Sequence, residues 1–366
     1  MLGRIMIFVV TCCLFAGYVA SGYAGETKVG GHIKLKLYDN IDGRHNDVSS
    51  YDYAGFSFSE MLLYFTQEIN DQISLDLQPQ FSASTGATPK FGSDIGKQKT
   101  AAKNVKADFG GWVKAVLKAA LPMGYEASFG IVKPRFTMEY GAELYWEDEF
   151  NGSKFAANTY LAAMHDTGIE IYKPFELGAV SLPAYLYALN GGYQYSDNNK
   201  SPAVMVHVEP EIGRLKFTGS YFVGKWDDND ALQAARWSYG LMYSYKAFSC
   251  RGEYASGKWD GALSNGTADV QPSGYYGKLF YRYAPWGRVM LHYNIVDNNY
   301  KGLLAVTGPG GERYVTWTPG LQFTVANGSI VQVQYDIADW QQSDTGGHVT
   351  DRLQFNRLTV GWRATF

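Results

Sequence analysis

The feature of this chain that most constrains its fold is an alternation of apolar and polar residues. Near the C-terminal end, Leu358, Val360 and Trp362 are apolar, whereas the residues between them are small or polar. From Val29 onward, runs of 9 to 15 residues repeat this alternation. A period of two is that of a β-strand with one apolar face and one polar face. The sequence therefore predicts an all-β protein.

The connections between these runs alternate between short and long. Short connections contain turn-forming residues, as at Asn70-Asp71 and Pro122-Met123-Gly124. Long connections are polar, and the longest spans Val132 to His165. Short turns on one side and long loops on the other indicate an up-and-down meander. We predict about sixteen strands, a number typical of large membrane barrels, near residues 28–38, 53–69, 72–84, 106–120, 124–132, 166–174, 179–190, 201–212, 213–224, 235–246, 247–258, 273–284, 287–298, 311–325, 328–339 and 350–366.

Three features indicate that the apolar face contacts a membrane. The runs are long, since soluble strands average about five or six residues and tilted membrane strands need about nine to eleven. Tyr125, Tyr254, Tyr283 and Trp362 lie near strand ends on the apolar face, where membrane proteins place aromatic residues. The opposite face is too polar for a packed core. Because a bilayer offers the backbone no hydrogen-bond partners, the sheet must close into a transmembrane antiparallel up-and-down β-barrel.

Residues 1–24 have the pattern of a secretory signal peptide. Met1 to Arg4 carries a positive charge, Ile5 to Ala20 is almost entirely apolar, and Gly22-Tyr23-Ala24 offers small residues for cleavage. We expect export through the Sec pathway and cleavage after Ala24; the alternative is an uncleaved membrane anchor. Residues 25–366 then form a single barrel domain.

Several function classes are excluded by what the sequence contains. Loss of the signal peptide would leave Cys250 as the one cysteine, so no intramolecular disulfide is expected. A formal net charge of −3 gives no reason to expect nucleic acid as a partner. The six histidines lack metal-ligand spacing, and no Cys-x-x-Cys-His haem motif occurs. We therefore predict no metal and no cofactor. His207 and His292 fall on the inner face, away from where a barrel hydrolase would need them, so we predict no enzyme.

The chain also resembles a known class of membrane barrels. The signal peptide, the alternating strands and Phe366, preceded by apolar residues at every second position, resemble Gram-negative outer-membrane barrels, in particular the sixteen-stranded general porins. FGIVKPRFTMEYGAE (Phe129 to Glu143) resembles the strand entering the third loop of phosphate-selective-type porins. HDTGIEIYKPFELGAVSLPAYLYALNGG (His165 to Gly192) resembles the hairpin that follows. The basic lysine cluster of phosphate-specific members is not evident, so phosphate selectivity is not predicted.

This resemblance implies a location, partners and an assembly route. It implies the Gram-negative outer membrane, contact with outer-membrane lipid and lipopolysaccharide, and a homotrimer. It also implies that the barrel-insertion machinery reads the terminal strand, with Phe366, Trp362, Val360 and Leu358 as the assembly signal.

The alternation assigns many basic residues to the inner face. This set is Lys34, Lys36, Lys114, Lys118, Arg214, Lys216, Arg236, Arg251, Lys278, Arg282, Arg288, Arg357 and Arg363. The inward acids form a smaller set: Glu68, Asp76, Glu126, Glu170, Glu253 and Asp336. Basic residues around a narrow wet channel raise the local concentration of anions, so an anion-biased pore is expected. The alternative is local pairing across strands, as Arg251 and Glu253 could provide.

The connection from Val132 to His165 occupies the place of the third long loop. In sixteen-stranded porins this loop folds into the barrel and narrows it, and the resemblance implies the same here. Its acidic residues, which would then face the basic wall across a constriction, are Glu139, Glu143, Glu147, Asp148 and Glu149. The alternative is an external, solvated loop.

The sequence thus predicts an outer-membrane porin for passive diffusion of small hydrophilic solutes, with a bias toward anions. Two alternatives stay open. One is a barrel that sheathes a multihaem cytochrome in an electron conduit. The other is a secreted soluble β protein.

Overall fold

A computed structural model of the chain describes residues 26–45, 48–49, 53–84, 106–141, 155, 161, 166–190, 201–225, 231–263, 268–302, 311–326, 328–344 and 348–365. The predicted signal peptide at residues 1–24 and Phe366 lie outside these ranges, so the cleavage site and the role of Phe366 stay predictions.

The described residues form strands almost throughout. These are β1 (Thr27–His45), β2 (Val48–Ser49), β3 (Tyr53–Asn70), β4 (Ile73–Ser84), β5 (Lys106–Leu121), β6 (Tyr125–Val132), β7 (Asp166–Leu177), β8 (Val180–Leu189), β9 (Ala203–Val208), β10 (Glu211–Ile212), β11 (Leu215–Lys225), β12 (Gln233–Tyr245), β13 (Phe248–Leu263), β14 (Ala268–Ala284), β15 (Gly287–Gly302), β16 (Gly311–Ala326), β17 (Ser329–Ser343) and β18 (Val349–Thr365). One turn of α-helix, α1, spans Met138–Gly141, and a turn of 3-10 helix spans Pro122–Gly124. None of the described helices is long and apolar enough to cross a membrane.

The strands form one closed antiparallel sheet. Each long strand pairs with its neighbours along the chain, and β18 pairs with β1 so that Trp362 lies opposite Leu35. Segments β9 and β10 both lie between β8 and β11 and make one interrupted strand. The interruption falls at Glu209 and Pro210, because proline has no backbone N–H to donate to a ladder. With β2 as a two-residue extension, the described part of the chain is a sixteen-stranded barrel, as predicted.

The short turns fall where the sequence predicts them. Asn70 accepts hydrogen bonds from the backbone N–H of Gln72 and of Ile73, both at 2.9 Å, through its side-chain oxygen. This is the local role that makes Asn common in turns. At Pro122–Gly124, Met123 and Gly124 adopt φ of 64° and 74°. The strands extend further on the loop side than predicted, since β1 continues to His45 and β15 to Gly302.

The outer face is apolar and the inner face is polar. Leu279, Leu291 and Val360 point outward and are 46%, 39% and 39% exposed. The inward Lys278 and Thr359 beside them are fully buried. Leu358 and Trp362 are also exposed, so the predicted orientation of the C-terminal strand is confirmed.

Aromatic side chains line both ends of this apolar belt. Toward the long loops, Tyr293 packs against Tyr275 and Trp317, with ring centroids 5.8 and 4.4 Å apart. Toward the short turns, Tyr283 packs edge-on against Trp286 at 5.6 Å. Two such girdles are typical of barrels that span a membrane.

A charge placed on this belt tests the assignment of faces. Leu279→Lys should lower the free energy of unfolding in lipid vesicles by about 2–4 kcal/mol, because lysine at mid-membrane is poorly solvated. The matched control is Ser74→Lys, since Ser74 lies on the inner face between Glu68 and Lys118 in register. Urea-driven unfolding measures both variants. Equal losses for the two variants would contradict the face assignment.

Candidate functional site

One part of the inner wall carries a continuous chain of hydrogen bonds across β15 to β18. Arg288 donates through Nε to Gln322, and Gln322 donates to Gln332 at 2.5 Å. Gln332 donates to Gln334 at 2.9 Å, and Gln334 to Asp336 at 3.0 Å. These hydrogen bonds connect β15 to β16 and β16 to β17, and along β17 they join side chains at every second position.

The run of hydrogen bonds ends in an ion pair between Asp336 and Arg357. Arg357 donates from Nε at 3.1 Å and from its terminal nitrogen at 2.9 Å to the same oxygen of Asp336. Thr318 donates to the other carboxylate oxygen at 2.9 Å. Arg363 lies opposite Lys34 in register, and Lys36 follows on the same face. The inner wall of β15 to β18 and β1 is therefore polar and rich in cations.

On β4 and β5, which follow β3 around the barrel from β1, the inward charges are paired locally. Asp76 on β4 lies 2.5 Å from Nζ of Lys118 and 3.5 Å from Nζ of Lys114. Thr66 also donates to Asp76 at 3.0 Å. Here the predicted alternative, pairing across strands, describes the geometry.

A second group of paired charges centres on Glu209. Its carboxylate accepts from Lys216 at 2.6 Å and from Arg135 at 3.3 Å, and it lies 2.9 Å from Nε2 of His207. Arg135 also packs over the Tyr185 ring at 5.1 Å. Burial lowers the pKa of Arg135, but Tyr185 and Glu209 outweigh it and leave that pKa raised. Arg135 therefore keeps its positive charge beside the Glu209 carboxylate.

His207 also contacts a serine. Ser220 Oγ lies 2.6 Å from His207 Nδ1 and 3.4 Å from the carbonyl oxygen of Arg135. Ser220, His207 and Glu209 therefore form a hydrogen-bonded row on the inner face. All three are buried, and the serine contacts the loop backbone, so the row supports the loop and does not present a nucleophile.

The first residues of the third connection lie against this wall. The backbone N–H of Arg135 donates to the Tyr187 hydroxyl at 3.3 Å, and Ser238 donates to the carbonyl of Phe136 at 2.6 Å. Further along, Glu253 accepts from the backbone N–H of Met138 at 2.8 Å. Each partner comes from a strand further around the barrel, namely β8, β12 and β13. The segment from Arg135 therefore runs across the strands on the inner face.

The segment ends in a fully buried ion pair. Nζ of Lys278, on β14, lies 2.5 Å from Glu139, and both side chains have no exposed area. The backbone N–H of Glu139 also donates to Glu253 at 3.3 Å. We call these contacts of Met138 and Glu139 with Glu253 and Lys278 the loop anchor.

Arg236 connects two parts of the same connection. Its guanidinium lies 4.9 Å from the Phe136 ring centroid, 4.6 Å from Phe222 and 5.2 Å from Trp259. It also donates to the carbonyl of Leu161 at 3.2 Å. Such stacking suits the planar guanidinium. Arg236 therefore holds residues from both ends of the connection against the wall.

Twelve of the thirteen predicted basic residues divide into three environments. Lys36, Lys114, Lys118, Lys216, Arg288, Arg357 and Arg363 lie on the inner face. Lys34 lies there too but is only 2% exposed. Arg236, Arg251 and Lys278 also point inward but are buried, because loop residues or aromatic rings cover them. Arg282 lies at the exposed rim beside the turn to β15.

The prediction for Arg214 is wrong. This residue lies in the exposed turn between β10 and β11 and packs over Tyr245 at 4.4 Å. Gly213, with φ of 61°, starts the turn and takes Arg214 out of the strand alternation. Of the predicted loop acids, Glu139 is described and buried. Glu143, Glu147, Asp148 and Glu149 lie outside the described residues.

A prediction from charged residues alone missed the uncharged polar side chains of the inner wall. Gln322, Gln332 and Gln334 form much of this run of hydrogen bonds, and the spacing of two between Gln332 and Gln334 could have indicated it. Arg135 was missed because it lies outside the predicted strands. Glu209 was missed although it lies in the predicted strand 201–212, two residues after the inward His207. No group of His, Cys, Asp or Glu among the described residues could hold a metal ion.

Known proteins were compared with the chain at the level of sequence and of structure. No family model and no curated protein sequence matches it. The anion-selective porin of Comamonas acidovorans shares the fold, with TM-score 0.61 and 13% identity over 93% of this chain and 100% of the porin. The outer membrane channel DcaP of Acinetobacter baumannii gives TM-score 0.59 and 11% identity over 93% of this chain and 97% of DcaP.

A third similar structure is a trimer. OmpT of Vibrio cholerae, an outer membrane protein in its trimer form, gives TM-score 0.58 and 13% identity over 94% of this chain and 100% of OmpT. At these identities the likeness concerns the fold. The chain has the fold of the sixteen-stranded outer-membrane porins. Its closed barrel and apolar outer belt are those of a barrel that spans a bilayer, and the alternative of a soluble protein is set aside.

The loop anchor can be tested through its buried ion pair. Glu139→Gln should destabilise the barrel by about 3–5 kcal/mol, because Lys278 loses its carboxylate partner away from water. Adding Lys278→Met should recover most of that loss. Equilibrium unfolding in urea measures both. The control is Asp260→Asn, which removes the carboxylate 2.6 Å from the half-exposed Lys258 and should change stability by about 1 kcal/mol or less. Equal effects at the two sites would contradict a buried anchor.

Proposed function

We propose that this protein is an outer-membrane porin for passive diffusion of small hydrophilic solutes. The observation that carries the proposal is the inner wall, which is polar from β15 through β18 and across β1 while the outer face is apolar. A polar wall can replace part of the hydration of a passing solute. The names of the similar structures, an anion-selective porin and an outer membrane channel, support the same function. We propose no enzymatic activity.

An anion bias is the finer part of this proposal. In the middle of the inner wall of β15 to β18 and β1, the described cations are Lys34, Lys36, Arg288, Arg357 and Arg363, and the described carboxylate is Asp336. Elsewhere on the wall, Asp76 and Glu209 each contact two cations, so that four cations face two carboxylates. The excess of positive charge that favours anions would therefore be larger along β15 to β18 and β1.

The third connection supplies the proposed constriction. Arg135 to Glu139 cross the inner wall, and buried Phe155 and Leu161 show that later parts of the connection pack in the same apolar cluster. We propose that the rest of the loop narrows the pore from this side. Glu143, Glu147, Asp148 and Glu149 would then face the basic wall of β15 to β18 and β1. Opposed charges across a constriction orient dipolar solutes.

These loop contacts also bear on the cytochrome-sheath alternative. A sheath must leave its lumen open for a folded partner, whereas Phe136 and Glu139 occupy positions against the inner wall. No observation favours the sheath over a porin.

We propose a homotrimer, on the support of the trimeric OmpT structure. The barrel-insertion machinery and lipopolysaccharide are proposed partners in assembly and in the membrane.

Conductance in planar bilayers tests the porin proposal. In a KCl gradient the wild-type channel should open in steps and show a reversal potential of the sign expected for anion preference. Arg363→Ala should lower the anion-to-cation permeability ratio by about twofold, because it removes one wall cation. Arg214→Ala is the matched control, since that arginine lies in an exposed turn, and should leave the ratio unchanged. Clear cation preference in the wild type would refute the anion bias, and the absence of steps would refute an open pore.

The oligomeric state is tested separately. Native mass spectrometry of protein extracted in mild detergent should give the mass of three chains. A dominant single-chain mass, in preparations that still conduct, would contradict the trimer without affecting the proposed pore.

A further inference from the structure

Three tyrosines lie side by side on the inner wall of β7 and β8. Tyr172 and Tyr185 are opposite each other in register, and Tyr185 in turn lies opposite the inward His207. The ring centroids of Tyr172 and Tyr185 are 4.7 Å apart, and Tyr187 stacks on Tyr185 at 6.4 Å. We call Tyr172, Tyr185 and Tyr187 the tyrosine row. Small polar side chains would line a water-filled pore equally well, so passive diffusion does not account for these adjacent rings.

Arg135, at the start of the third connection, covers the middle of the tyrosine row. Its guanidinium lies 5.1 Å from the Tyr185 ring centroid. One of its terminal nitrogens donates to Glu209 at 3.3 Å, and this is the hydrogen bond that its side chain makes to the described residues. A guanidinium carries several N–H groups. The remaining donors of Arg135 are therefore available to a solute.

The exposure of Arg135 supports such a role. Its side chain is 38% exposed, the largest fraction among the described ion-paired cations of the inner wall, where Lys118 and Lys216 follow at 34% and 24%. An arginine that served only as one half of a structural ion pair would not need this exposure. Tyr172 is also partly exposed, whereas Tyr185 beneath the guanidinium is buried. One guanidinium and one phenol ring therefore face the lumen side by side.

We propose that Arg135 and Tyr172 form a subsite in the pore for small aromatic monocarboxylates, of which benzoate is the simplest. The inference rests on the proposed porin function and names a class of solute for that pore. The carboxylate accepts a pair of N–H groups from Arg135, which is the geometry that arginine favours. Because the guanidinium lies over Tyr185, a solute held beside it places its ring over the neighbouring Tyr172.

The two contacts select for two chemical groups in one solute. The bond to Arg135 is charge-assisted, and any small anion could make it. The contact with Tyr172 is the offset or tilted packing that aromatic pairs favour, and any small ring could make it. A solute that carries both groups at the right spacing makes both contacts at once and is held longer than either kind alone.

Glu126 limits the charge of the solute. It lies opposite Tyr172 in register on β6, on the side of Tyr172 away from Tyr185, and it is exposed. A second carboxylate on the far side of the solute ring would approach Glu126, and like charges repel each other. The subsite therefore takes aromatic monocarboxylates in preference to aromatic dicarboxylates.

Single-channel recording in planar bilayers tests the subsite, with sodium benzoate as the probe. Benzoate added to wild-type channels in KCl should cause brief closures, and their dependence on concentration gives a dissociation constant. Arg135→Gln combined with Tyr172→Leu should raise that constant by about tenfold, because a charge-assisted bond and a ring contact are lost together.

Lys118→Gln combined with Tyr64→Leu is the matched control. It removes another inner-wall cation that pairs with a carboxylate, and another inward tyrosine, which contacts the buried His32. In both double variants the carboxylate left behind keeps a second lysine. The control should keep the dissociation constant for benzoate within about twofold of wild type. Equal losses in the two double variants would overturn the proposal.

Two other probes test the chemical class of the solute. Acetate, which has no ring, should block wild-type channels about tenfold more weakly than benzoate. Terephthalate, which has a second carboxylate, should also block more weakly, and Glu126→Gln should reduce the difference between terephthalate and benzoate. Equal block by acetate and benzoate would overturn the proposal, because a cation alone would then explain the binding.

Single variants cover the case in which the test double variant fails to assemble. Tyr172→Leu alone should weaken the block by benzoate about fivefold, and Tyr172→Phe should retain it, because the ring is kept. Equal block in these two variants would contradict the ring contact. Channels that open in steps but are never blocked by benzoate would overturn the subsite and leave the proposed pore intact, whereas the absence of steps would overturn both.

Discussion

The structure depends on one constraint, which is that backbone N–H and C=O groups inside a bilayer must bond to each other. A sheet satisfies them only if its last strand meets its first, since an open edge would leave a row of unmet groups in hydrocarbon. The pairing of β18 with β1 closes that edge. The antiparallel order and the even strand count follow from closing a meander whose short turns all lie at one end.

Closure creates a second problem, because the polar face of every strand then points into a confined space. The barrel meets it in two ways. Across β15 to β18, glutamine amides and Asp336 bond in sequence and leave a wall that water can wet. Across β11 to β14, the backbone of the third connection supplies donors and acceptors to Ser238 and Glu253. The same polar face thus lines a pore on one side and holds a loop on the other.

The sequence predicted the barrel well because its decisive signal is local. A period of two and a turn such as Asn70-Asp71 depend on neighbouring residues, so strand number, closure and the orientation of Leu358, Val360 and Trp362 could be predicted. The environment of each inward charge could not. Arg236 and Lys278 are buried by residues about 100 or more positions away along the chain, as the contacts to Phe136 and Glu139 show. The prediction for Arg214 failed because the positive φ at Gly213 places a turn there, and the apolar–polar alternation carries no information about φ.

The ends of the strands show why a period of two does not by itself identify inside and outside. At mid-membrane, outward means apolar, as at Leu279 and Val360. Near the loops on β16 to β18 the order is reversed, with Tyr314, Trp340 and Phe355 inward and Asp339 outward. The alternation is unbroken through this reversal, because backbone geometry fixes it at every height. What changes is the surroundings: outside, hydrocarbon gives way to headgroups, and inside, the polar wall gives way to packed rings. A strand in such a barrel must therefore be interpreted by its height as well as by its phase.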